Sequence, residues 1–74
     1  MTTQRLTAII QKEGDGYVSL CPELDIASQG ETVESARDNL SEAVELFYEC
    51  ASAEETQRRM VSEVFVTQLE VPVG

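Results

Sequence analysis

Histidine is missing from this chain, and lysine occurs only once, at Lys12. The common Cys/His zinc patterns therefore cannot be built, and general acid–base chemistry near neutral pH has few candidates. Cysteine is limited to Cys21 and Cys50, far apart and outside any CxxC spacing. A Cys21–Cys50 disulfide stays open, but nothing marks the sequence for an oxidising compartment. A thiol nucleophile would lack its histidine base. No uninterrupted apolar run exceeds three residues, as in Ala8-Ile9-Ile10, and the start has no apolar signal core. A membrane partner is thus not expected, and the cytoplasm is the default location. Positive charge is equally scarce. Five basic residues face 14 acidic ones, for a net charge of −9. Phosphate backbones repel such a chain, so no nucleic acid binding by this chain alone is expected. A basic partner or simple solubility accounts for the sign equally well.

At 74 residues, the sequence makes one domain, spanning 1–74. So short a chain buries only about 60% of the surface exposed when unfolded, and its core is thin. Thin cores gain stability from disulfides, metals or association. With the first two poorly supported, association is the remaining candidate.

What is present is patterned. Residues 5–12 alternate, with Leu6, Ala8 and Ile10 on one face and Thr7, Ile9 and Gln11 on the other. Gly14-Asp15-Gly16 is a strong turn signal, and 17–21 alternates again, so 5–21 reads as a β-hairpin. Pro22 ends that strand, Glu23-Leu24-Asp25 forms an irregular connection, and 26–29 supplies a short third strand before Gly30. Thr32 is a good N-cap, with Glu31 and Glu34 suited to the positive end of a helix dipole. From there Val33, Ala36, Leu40, Ala43, Val44, Phe47 and Cys50 fall within one arc of about 120°. Both cysteines fit these patterns as small core residues. Ser52-Ala53-Glu54-Glu55 resembles a capping box and predicts a short second helix. Residues 62–71 alternate strongly and predict a fourth strand, ended by Pro72.

The expected fold is α+β: two layers in the order β-β-β-α-β, one main helix packed on one face of a four-stranded sheet. Its crossover should be right-handed and lay the last strand parallel to the first or third. The sheet's other face is expected to carry Ile9, Tyr17, Phe65 and Leu69, too apolar for a monomer. Homodimers or higher even oligomers follow, with Val64, Phe65, Val66 and Leu69 at the interface, because an apolar edge strand is a template for pairing.

Asp15, Glu23, Asp25 and Glu31 lie in or beside turns and invite a magnesium-nuclease reading. Turn aspartates and helix-start glutamates, however, occur for local hydrogen-bonding reasons. No catalytic residue, metal ligand or cofactor is assigned, and the protein is not expected to be an enzyme. The far side of the helix is more informative. Glu34, Asp38, Glu42, Glu45 and Glu49 form an acidic stripe in which like charges meet at i,i+3 and i,i+4 spacing. Each such pair costs about 0.2–0.5 kcal/mol in an isolated helix. The stripe is either a solvated face or a surface relieved by a cationic partner.

The run from Asp15 to Leu24 (DGYVSLCPEL), then Ser28-Gln29-Gly30-Glu31-Thr32, resembles the N-terminal domain of HicB-type antitoxins. That family shares D-G-Y, a strand, P-[DE]-L, then S-x-G-[DE]-T and an acidic amphipathic helix, here similar through Asn39–Phe47. The resemblance covers residues 5–50 well. It departs where many members have Pro-Gly-Cys and this chain has Asp25-Ile26-Ala27. It implies a partial ribonuclease-H-like fold without nuclease residues. It also implies an inhibitory module that neutralises a small basic HicA-like toxin, itself an mRNA-cleaving protein. The DNA-binding domain of longer family members has no counterpart in these residues. Glu23, Asp25, Glu34, Asp38, Glu42, Glu45 and Glu49 are then the candidate partner-binding residues. The alternative is an orphan structural or ligand-binding domain without a toxin.

Overall fold

A computed structural model describes residues 5–59 and 63–74. Three strands, β1 (Ile9–Glu13), β2 (Gly16–Cys21) and β3 (Ile26–Gly30), form an antiparallel meander in the order β1-β2-β3. Helices α1 (Val33–Cys50) and α2 (Ala53–Arg59) follow. Gly14 occupies the first position of the β1–β2 turn at φ +59°, a left-handed backbone that costs glycine nothing. The β2–β3 turn closes with the Leu24 amide donating to the Cys21 carbonyl at 3.3 Å. Pro22 supplies the fixed φ such a turn favours at its second residue. Asp25 then takes the left-handed region at φ 56°, which aspartate tolerates, and turns the chain into β3.

Thr32 caps α1. Its hydroxyl accepts from the Ser35 amide at 3.0 Å, and the Ser35 hydroxyl accepts from the Thr32 amide at 2.9 Å. Gly30 is needed just before this cap. A methyl group there would overlap the Ala36 amide nitrogen and the Ser35 hydroxyl, so glycine lets the helix settle onto β3. Leu24, Cys21 and Leu40 form the core, with Leu6, Ile26, Val44 and Phe47 packed around them. Ala36 is fully buried, and the Ser19 hydroxyl beneath it donates to its carbonyl at 2.9 Å. That bond satisfies a buried polar group that would otherwise be costly.

The helical stripe holds at Ala36, Leu40, Ala43, Val44 and Phe47 but fails at both ends, where Val33 and Cys50 are exposed. Eighteen helical residues span about 27 Å. Strands of five or six residues cover only about 17–20 Å, so the helix overhangs the sheet. Cys50 is therefore not a core residue, and both cysteines are free.

One further expectation is corrected. The register places Tyr17, Ser19 and Cys21 on the helix side of β2. The uncovered face therefore carries Ile9, Val18, Leu20 and Ala27, and Tyr17 does not belong to it. Hydropathy alone would have buried Val18 and Leu20. The hydroxyl of Ser19 is accommodated inside because a helix carbonyl waits for it.

The expected fourth strand is not seen among the described residues. Its first residue, Ser62, lies outside the described residues. Residues 63–74 carry neither helix nor strand, and the sheet of the described residues has three strands. Alternation records a capacity to pair, but a strand also needs an edge lying alongside it. The radius of gyration, 14.4 Å, exceeds the roughly 11 Å of a compact domain of this length, consistent with an arm standing off the body.

Candidate functional site

The four turn carboxylates do not converge. Asp15 sits at the β1–β2 tip and Glu31 follows β3 at the same end of the sheet, whereas Glu23 and Asp25 occupy the β2–β3 turn at the opposite end. Among the described residues no group of three His, Cys, Asp or Glu side chains could hold a metal ion. A shallow open depression beside β3 is lined by Glu13, Tyr17, Gln29, Glu31 and Asn39 among others. It gathers no acid–base pair.

Glu23 is committed within the chain. Its carboxylate accepts from the Thr7 amide at 3.0 Å, the Thr7 hydroxyl at 2.6 Å and the Cys21 thiol at 3.6 Å. Partial desolvation works against its charge. The bonds from Thr7, its own amide and Cys21 together outweigh that cost and hold the carboxyl below its ordinary range. Burial pushes the Cys21 thiol upward, and the neighbouring Glu23 charge pushes it further. Leu24, next in sequence, is 0% exposed. The Pro-Glu-Leu motif thus works as a device of the fold: proline sets the turn, glutamate clamps the entry to β1, and leucine plugs the core.

Arg59 fastens α2 to this same end. Its guanidinium donates to the Leu24 carbonyl at 2.8 Å and lies 5.1 Å from the centre of the Phe47 ring. Nothing local in the sequence could have revealed the Leu24 carbonyl, 35 residues away, as its partner.

The remaining acids behave as one surface. Glu34, Asp38, Glu42, Glu45 and Glu49 are all exposed along the outer face of α1. Among the described residues one ion pair touches this stripe, between Arg37 and Asp38 at 3.6 Å. Both side chains are largely in solvent, so the pair neutralises little. Leu46 is 54% exposed on the flank of the stripe, and Tyr48 is exposed on the other flank. Wheel positions account for both placements. Asp25 is exposed as well. The expected interface residues Phe65, Val66 and Leu69 are 82%, 66% and 83% exposed, and Val64 is half-buried.

A three-stranded meander roofed by one acidic helix defines a small α+β domain whose distinguishing surface is that helix face. In sequence the chain is similar to the UPF0150 protein ssr1765 of Synechocystis sp., 46% identical over 50 residues. The aligned part takes in 65% of this chain and 63% of the relative, so the chain matches just under two thirds of that protein's length. No family model matches the chain, and no solved structure matches it significantly. Among the described residues no helix is long and apolar enough to cross a membrane.

Proposed function

We propose that this chain is an antitoxin-like inhibitory module, binding a small, basic, mRNA-cleaving toxin of the HicA type through the outer face of α1. The observation that carries the reading is the exposed stripe of five carboxylates, left almost without counter-charge beside an exposed leucine. A like-charged row that weakens its own helix is relieved when a cationic surface docks. The resemblance of residues 15–36 to HicB-type antitoxins supplies the class of partner. The partial ribonuclease-H-like, four-stranded arrangement belongs to the same proposal, with residues 63–74 providing the missing strand.

In this reading opposite charge accelerates encounter, and apolar contacts around Leu46 govern dissociation. The test is the charge reversal Asp38→Lys with Glu42→Lys, both at exposed positions on α1. A purified HicA-type toxin serves as partner, with RNA protection and association rate as readouts. The double variant should fold normally, associate more slowly at low salt and protect RNA poorly. Association at the wild-type rate in low salt would refute the role of the stripe.

A further inference from the structure

We infer that residues 63–74 are a donated strand: the arm of one copy pairs with the β1 edge of a second copy, and the exchange is reciprocal. Four observations converge on this. The arm is apolar yet unpacked, with Phe65, Leu69 and Val73 at 82%, 83% and 90% exposure and Val66 and Val71 at 66% and 64%. Ordinary loops are not built this way. Phe65, Leu69, Val71 and Val73 share one parity, as a strand with one apolar face requires.

The sheet also offers a place for it. Its uncovered face carries Ile9, Val18 and Leu20, with Ile9 on the edge strand β1. An arm hydrogen-bonded along β1 lays its apolar parity beside Ile9 and continues that patch. The two edges are not equivalent. At the β3 edge the side-chain amide of Asn39 already donates to the Gln29 carbonyl at 2.8 Å, and α1 lies chiefly over β3. Among the described residues no strand lies beside β1 on its outer side.

The apolar side chains supply part of the area and the paired backbone must supply the rest. Four large apolar side chains of one parity from each of two arms, on the order of 100 Å² apiece, bring roughly 800 Å² before any backbone is counted. Stable interfaces begin at roughly 1,200 Å². A second copy thus supplies what the arm lacks, an edge to pair with.

Sedimentation equilibrium of the full chain at tens of micromolar should return twice 8.2 kDa, or a higher even multiple. Phe65→Asp with Leu69→Asp should lose that mass while keeping the helical circular dichroism, because neither side chain packs against the body. A second measurement does not depend on that variant folding. With Cys50→Ser and Val73→Cys, a spin label reaches only the arm, since Cys21 is buried. Mixed with unlabelled ¹⁵N chains, it should broaden the β1 amides of the other copy. A single-chain mass, an oligomer that survives the double aspartate variant, or broadening confined to β3 would each overturn the inference.

Discussion

Replacing Leu24 by alanine tests whether the Pro-Glu-Leu turn is a structural plug. Leu24 has no exposed surface, and its side chain meets Cys21 and Leu40 in a core with few other buried members. Removing a fully buried leucine costs about 3–5 kcal/mol, the upper end applying where neighbours cannot collapse into the space. Collapse is hindered here because β2 and β3 are tied by the register on either side of the turn. A domain of this length has a total stability of roughly 4–11 kcal/mol, so the loss removes a large fraction of it. Each kcal/mol lowers the melting temperature of so small a domain by about 4–8 °C, and a fall of at least about 12 °C follows. Urea titration followed by circular dichroism, with both proteins at one concentration because association adds to stability, measures the difference. A change below about 1 kcal/mol would show that Leu24 does not plug the core, and the structural account of the motif would fail with it.

Gly30→Ala should destabilise by about 1–3 kcal/mol, since the added methyl must displace the first turn of α1; an unchanged urea midpoint would mean the helix start is free to shift. Glu23 gives a pH dependence. Its folded carboxyl titrates below the ordinary 4.5, so its contribution is fully present above that value and is lost as pH falls through the lower folded one. Thermal melts should therefore drop on acidification, and Glu23→Gln should flatten that limb while lowering stability at neutral pH. An identical acid limb in the variant would place the dependence elsewhere.

Local signals in the sequence determined most of the elements. Gly14 marked the first turn, Pro22 the second, Thr32 the helix start and Ser52 the start of α2, because each acts through its own backbone or its nearest neighbours. The acidic stripe was legible for the same reason, since helical periodicity alone puts those five residues on one side and the apolar arc on the other. Tertiary structure decided which face of β2 goes inside. Ser19 is buried only because the Ala36 carbonyl is there to accept its hydroxyl, a partner 17 residues away that no local pattern announces. It also decided that Cys50 overhangs the sheet, that Glu23 spends its charge on Thr7, and that Arg59 reaches the Leu24 carbonyl. The alternation in 63–74 shows the limit most plainly. A strand's period is written in its own residues, but its pairing is a property of the edge beside it, and among the described residues no such edge lies alongside.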